Sequence, residues 1–333
     1  MIPSPVARIS RRSFLLTAAG AVVAAGAGTG AGIALDGSGR PLAARARVGA
    51  YVHLPGVHAN PLPEADLAAF ERRLGRRFGV INYYYGWNTP LSELLNATVP
   101  ERRLMVSWIP TAAAVREMHT GSQDSYIAHF ARAVKQYDHV VYLRFAPEMN
   151  GEWNAYCAAA PDGPSAEVFQ LAWHRVVGIF RAVHAHNAKF VWCPNEVDEP
   201  DLAGNRMEDY WPGRHWVDIL GFDGYNWSVG APRRGSGAWR GFDEICAGPY
   251  ARVGRLAHDL PIWVCETGCT EAVVGDPPGV SKGRWLLDLW SSERWPRLAA
   301  VVYFSADDPA LERNWSIDTS PAAVAGWRRG VTQ

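Results

Sequence analysis

Val140-Val141-Tyr142-Leu143-Arg144-Phe145-Ala146-Pro147-Glu148-Met149-Asn150-Gly151-Glu152-Trp153 is the stretch on which the reading of this chain turns. It opens as a continuous apolar run rich in β-branched and aromatic residues, the pattern of a strand buried on both faces. It closes on a carboxylate, an amide, a glycine and a tryptophan. A second stretch, Leu260-Pro261-Ile262-Trp263-Val264-Cys265-Glu266-Thr267-Gly268, repeats the arrangement: an apolar run ending in Glu with Gly close behind. Either glutamate alone is weak evidence, since a Glu after a strand also reads as the N-terminal residue of a helix. Two of them, at equivalent places in a repeating pattern, are what a retaining glycosidase needs: one carboxyl to protonate the leaving oxygen, one to attack the anomeric carbon.

The rest of the chain supplies the repeat. Strands read at Arg47–His53, Phe78–Tyr84, Arg103–Trp108, Lys189–Cys193, Trp216–Phe222 and Leu298–Phe304, besides the two above. Helical patterns fall between them. Pro63 suits a first helical position, with Leu67, Phe70 and Leu74 on one face and Gly75 as the stop. Asp124 can cap a helix facing inward through Ile127, Phe130, Ala131, Val134 and Tyr137. Others start at Ser165 and Ser281, lie around Tyr250–His258, and close the chain at Pro321–Arg328. Val229–Gly241 is a Gly/Arg/Trp-rich loop. Eight strands alternating with helices predict an α/β protein, a single (β/α)8 TIM barrel with its site at the strand C-terminal ends. The rival, a doubly wound open sheet, usually carries a Gly-rich phosphate turn after strand one. Here that segment is His53-Leu54-Pro55-Gly56-Val57-His58.

With 333 residues, 48% hydrophobic, the chain can bury a large core. Lys plus Arg equals Asp plus Glu at 33 each, so no net field favours nucleic acid. Fifteen tryptophans divide between core and flat platforms for sugar rings.

Ser10-Arg11-Arg12-Ser13-Phe14-Leu15-Leu16 matches the twin-arginine export pattern, and a Gly/Ala-rich uncharged run follows to Leu35. Ala44-Arg45-Ala46 offers a cleavage site. Residues 1–46 are therefore expected as a leader, removed or disordered, with an uncleaved anchor as the other reading, and residues 47–333 as the catalytic domain. Export implies an oxidising, extracellular location. The five cysteines are Cys157, Cys193, Cys246, Cys265 and Cys269; Cys157 and Cys193 are the first candidate pair.

Arg144-Phe145-Ala146-Pro147-Glu148-Met149-Asn150-Gly151-Glu152-Trp153 resembles the acid/base motif of glycoside hydrolase family 26, the β-mannanase family. Pro261–Glu266 resembles its nucleophile strand, and Tyr210–Gly213 with Val217–Asn226 its sixth-strand region. The likeness runs over about residues 47–328. It implies a retaining β-glycosidase, endo-acting on β-mannan or a related β-linked polysaccharide, with Glu148 as acid/base, Glu266 as nucleophile, Tyr225 donating to the nucleophile, and Arg144 near both carboxylates. Trp153 matches a position lining the sugar cleft. Asn150, Trp87, Trp108, Asn195 and Trp227, just beyond strand ends, are candidate sugar contacts; each otherwise packs under a loop. Asp223 could bond a sugar hydroxyl or cap a turn. The family usually has His where this chain has Pro147, which leaves the chemistry intact and the sugar open.

Two other classes compete. His53 and His58 flank the loop where a metal-dependent barrel hydrolase often holds its first ligands, but later strands end in Glu148, Asn195, Tyr225 and Glu266. A non-catalytic sugar-binding barrel would not need both carboxylates. The expectation is therefore a monomer acting on a polysaccharide or oligosaccharide, with no cofactor, no metal, no nucleic acid, and no stable membrane insertion once the leader is gone.

Overall fold

The computed structural model describes residues 40–56, 61–89, 91–97, 101–229, 237–308 and 313–332. Eight strands form a closed parallel barrel in sequence order: β1 (Arg47–Val52), β2 (Val80–Gly86), β3 (Arg103–Ile109), β4 (Val141–Phe145), β5 (Ala188–Trp192), β6 (Ile219–Asn226), β7 (Ile262–Cys269) and β8 (Leu298–Ser305). The helices are α1 (Leu42–Arg45), α2 (Glu64–Leu74), α3 (Leu91–Ala97), α4 (Ala112–Met118), α5 (Asp124–Tyr137), α6 (Ala166–Ala182), α7 (Phe242–Leu256), α8 (Lys282–Ser291) and α9 (Pro321–Val331). A two-residue ribbon, β9 (Asp307–Asp308) with β10 (Arg313–Asn314), follows the last barrel strand. The (β/α)8 expectation holds.

Local chemistry sets the helix ends. Ser165, Ser281 and Ser320 each accept a backbone N–H at the start of α6, α8 and α9, and Thr111 does the same for α4. Gly75 ends α2 in the left-handed region at φ 73°, where a side chain would be strained.

Two apolar layers result. The lumen holds Val80, Met105, Tyr142, Val191, Cys193, Ile219, Trp263, Cys265, Ala300 and Val302. The larger layer lies between the sheet and the helices, with Phe70, Trp108, Phe130, Trp173, Phe180, Leu286 and Trp327 among its members. Side-chain alternation along each strand sorts residues between the two. On β4, Tyr142 faces the lumen, so Arg144 does too. On β2, Val80 puts Asn82 and Tyr84 on the same side.

β7 breaks this alternation. Phe222 pairs with Val264 and Asp223 with Glu266, so β7 carries an extra residue, Cys265, beside β6. The register with β8 shifts over the same segment, between Val264 and Thr267. Such a bulge re-aims side chains. Here it turns the consecutive Cys265 and Glu266 both toward the lumen.

Four expectations change. Leu42 and Ala43 are buried, and Leu42 N–H donates to Ser292 O at 2.9 Å, so the packed barrel starts at α1 rather than after residue 46. The earlier part of the leader lies outside the described residues, as do His58 and residues 230–236 of the loop after β6. Cys157 and Cys193 do not pair. Cys157 Sγ faces Asn205 on the helix side, whereas Cys193 points into the lumen, and all five thiols are free and buried. The helix expected around Tyr250–His258 begins already at Phe242, with Pro249 inside it. α3 and α4 were not foreseen, being short. Among the described residues, no helix is long and apolar enough to cross a membrane.

Candidate active site

The strand C-terminal ends bring Glu148, Glu266, Arg144, Asp223, Tyr225 and Tyr84 together. Glu266 is 1% exposed. Its Oε2 accepts from Tyr225 Oη at 2.6 Å; its Oε1 accepts from Tyr84 Oη and from Arg144 Nη2. A carboxylate given three donors, one of them cationic, is held as an anion in a fixed orientation.

The same Arg144 Nη2 also reaches Asp223 Oδ2 at 3.1 Å. Burial opposes the charge on Arg144, but Asp223 and Glu266 more than restore it, and the guanidinium sits well above its ordinary range. Burial drives the Asp223 carboxyl well up, with Arg144 pulling the other way and Cys193 and Glu266 adding to the rise. One guanidinium thus serves two buried carboxyls, and Asp223, the less well supplied with donors, is the one pushed toward its neutral form.

Glu148 sits just past β4 on strained backbone. Ala146 has φ 44° and Glu148 φ 53°, left-handed values that non-glycine residues seldom take. The segment is pinned by Ala146 N–H on Trp108 O at 3.0 Å and Glu148 N–H on Cys193 O at 2.8 Å. Strain fixed this way from both sides is characteristic of functional positions. Trp153 Nε1 donates to Glu148 Oε2 at 2.9 Å. Gly151 makes that contact available: a Cβ there would lie 2.3 Å from Trp153 Cζ2.

Aromatic rings wall the opposite side. Tyr51 meets Tyr84 edge-on at 4.8 Å and stacks on Phe304 at 5.1 Å. Trp315 contacts Tyr225 at 4.9 Å and Trp227 at 4.8 Å. Tyr51, Tyr84, Phe304 and Trp227 are half-buried, which leaves ring faces for a ligand.

Not every expected contact lies here. Trp108 is fully buried, stacked on Phe130 of α5 at 3.9 Å, because Met105 and Ser107 take the lumen side of β3 and Trp108 the helix side. Trp87 stacks on Trp108 at 4.5 Å and donates to Gln123, so it belongs to that same outer cluster. Asn150 is 0% exposed and acts as a loop brace, donating to Asn195 O, Val197 O and Asp198 Oδ1. Asn195 completes the brace, its N–H on Asn150 Oδ1 at 2.8 Å. Tyr84, Tyr51 and Trp315 were missed. The alternation from Val80 through Asn82 could have placed Tyr84; nothing local points to Trp315.

Cys193, Asp223 and Cys265 offer ligand atoms within 4.8 Å of one another, in the lumen beneath Glu266. Arg144 already sits on the Asp223 carboxyl, and burial pushes the Cys193 thiol well up, away from the thiolate a metal would need. The set is a poor fit for a resident cation.

The model of glycosyl hydrolase family 26 matches residues 75–240, the segment that carries Tyr84, Arg144, Glu148 and Tyr225. The chain belongs to this family. Endoglucanase H of Acetivibrio thermocellus is 26% identical over 282 residues, which is 80% of this chain; the chain spans 29% of the length of that relative. Among solved structures, the catalytic domain of a Bacillus sp. JAMB-750 GH26 endo-β-1,4-mannanase aligns with a TM-score of 0.62 at 13% identity, covering 90% of this chain and 88% of that one. A GH26 β-mannanase from Bacteroides ovatus aligns with a TM-score of 0.57 at 16% identity, covering 86% and 88%. At such identities the structural likeness carries the fold.

Proposed function

We propose that this family 26 chain is a retaining β-glycosidase, endo-acting on β-mannan or a related β-linked polysaccharide by double displacement. The observation that carries the reading is the contrast between the two glutamates. Glu266 is locked by Tyr84, Arg144 and Tyr225, the environment of an anionic nucleophile. Glu148 meets Trp153 Nε1 and sits on a strained turn across the barrel, in place to carry a proton.

In the first step Glu148 gives its proton to the glycosidic oxygen as Glu266 attacks the anomeric carbon. The C–O bond to the leaving sugar breaks and a bond from Glu266 to the sugar forms. Arg144 and the two phenols stay on the carboxyl as its charge is consumed and then restored. In the second step Glu148, now ionised, takes a proton from water. That water displaces Glu266 and returns the sugar with its configuration retained. Asp223 positions Arg144 and does not meet the substrate.

A second reading, β-glucan in place of mannan, is favoured by Pro147, which has no side-chain donor where the family usually has His, and by the name of the Acetivibrio relative. Hydrolysis of a panel of mannan, mixed-linkage glucan and xylan decides between them by product. For the mechanism, Glu266→Ala should be inactive on every substrate, whereas Glu148→Ala should keep slow turnover on aryl glycosides whose leaving group needs no proton. Equal loss in both variants on both substrate types would remove the assignment.

The twin arginines support a further proposal, export of the folded chain. Replacing Arg11 and Arg12 together by Lys should hold it in the cytoplasm; unchanged secretion would count against it.

A further inference from the structure

The charge of this chain balances in number but not in space. Every barrel strand is parallel, so α2 and α9 run from the cleft face back to the opposite one and end there. α2 closes with Arg72 and Arg73, followed by Arg76 and Arg77; α9 closes with Arg328 and Arg329; β1 starts on Arg47. Contacts bind these ends into one patch. Arg76 Nη2 donates to Ala43 O of α1 at 3.2 Å, Arg328 Nε to Arg73 O at 2.8 Å, and Arg45 Nη1 to Trp295 O at 2.8 Å, beside exposed Arg294.

Part of this has a structural cause, since cations suit helix C-termini and several of these guanidiniums cap carbonyls. The surplus does not. Arg40, Arg47, Arg72, Arg77 and Arg329 are exposed, and among the described residues none of them forms an ion pair, although Arg73 beside them reaches Asp318 at 2.5 Å. Exposed carboxylates at this end of the barrel include Glu101, Asp138, Asp259, Asp288 and Glu293, of which Asp259 and Asp288 are already held by Arg214 and Arg284.

We propose that this arginine face docks on an anionic phospholipid bilayer. Attraction to an anionic surface adds with each Lys or Arg and acts within a Debye length, about 8 Å at physiological salt, so a flat exposed cluster is the form it requires. A bilayer is favoured over a soluble polyanion by what precedes the patch in the sequence. Ser13–Leu35 contains no Asp, Glu, Lys or Arg, and the chain reaches Arg40 five residues later, where the Arg40 carbonyl accepts from Arg45 Nε at 3.1 Å. Any residence of that run at a membrane brings this face to the headgroups. The cleft lies at the other end of the barrel and is turned outward toward polymer. The inference does not depend on the catalytic assignment.

Co-sedimentation of the full chain with phosphatidylcholine vesicles, with and without phosphatidylglycerol, tests it. The chain should bind the anionic vesicles at least about tenfold better at low salt, and the excess should vanish at high salt. The variant Arg47→Gln/Arg72→Gln/Arg77→Gln/Arg329→Gln keeps the apolar run and should lose the excess while unfolding at the same temperature. Equal binding to both vesicle types, a variant that keeps the preference, or capture by heparin at lower protein concentration than by vesicles would each overturn the proposal.

Discussion

Trp153 Nε1 donates to Glu148 Oε2 at 2.9 Å, across a reverse of the chain that Gly151 permits. The indole therefore has two jobs that can be separated: its N–H orients the proposed acid/base, and its half-buried ring offers area to a sugar. Trp153→His or Trp153→Phe keeps a ring. Phe should lower kcat by about tenfold with KM little changed, the cost of one hydrogen bond to a charged group. Trp153→Ala should raise KM as well. A large fall in melting temperature for Phe would make the residue a packing element instead.

Gly151→Ala tests the same contact from the backbone. A methyl 2.3 Å from Trp153 Cζ2 must displace the indole. Turnover should fall at least as far as in Trp153→Phe, while circular dichroism stays unchanged. Full activity would show that the contact does not matter.

The nucleophile assignment makes a prediction about coupling. Tyr84→Phe and Tyr225→Phe each remove one phenol from Glu266. Hydrogen bonds to charged groups contribute about 1.5–3 kcal/mol, so each change should cost about ten- to a hundredfold in kcat. Because both phenols serve one carboxylate, the double variant should lose less than the product of the two. Independent, multiplicative losses would mean that one of the rings acts on the sugar rather than on Glu266.

How much of this was legible before the fold was known depends on parity along the strands. Glu148 and Arg144 stood out because β4 is regular from Tyr142 onward, and a carboxylate after an apolar run is visible in one dimension. Trp108 looked like a cleft residue for the same reason of position, but Met105 and Ser107 take the lumen side and leave it facing α5. Tyr84 was available from the alternation with Val80 and Asn82. The triangle of Arg144, Asp223 and Glu266 was not: strict alternation puts Cys265 and Glu266 on opposite faces, and only the extra residue in β7 brings both inward. The link from Trp315 to Tyr225 spans distant parts of the chain and leaves no local trace. The start of the packed barrel was misjudged because Ala44-Arg45-Ala46 looks like a cleavage site, whereas α1 anchors through the buried Leu42 and Ala43 and through Arg45 on Trp295 O.

Lys282 gives a pH test of stability. Its amine is 0% exposed, donates to Asn314 O and to Ser316 O at 2.5 Å, and burial pushes it down to about 8 from an ordinary 10.5. A depressed lysine is one whose charge the folded state disfavours. The cost is fully present below about pH 8, where folded and unfolded chains are both protonated, and is relieved as pH rises from about 8 toward 10.5, where only the unfolded chain still binds the proton. Lys282→Met should be less stable than the wild type at pH 7, since two carbonyls lose their donor, and the gap in melting temperature should widen toward pH 10. A gap that narrows would place the lysine above its ordinary value and contradict this account.

The proposed reaction passes through a covalent intermediate on Glu266, formed and resolved with Glu148 as acid and then base. Retaining enzymes hold their two carboxyls about 5–5.5 Å apart, with no room for the water that an inverting reaction places between nucleophile site and sugar. Proton NMR of the first-formed product, recorded faster than mutarotation on whichever β-linked substrate is cleaved, reads this directly. The β-anomer should appear first, and the α-anomer should grow in only at the rate of spontaneous mutarotation. An α-anomer present from the first spectrum would mean single displacement by water and would contradict the covalent intermediate.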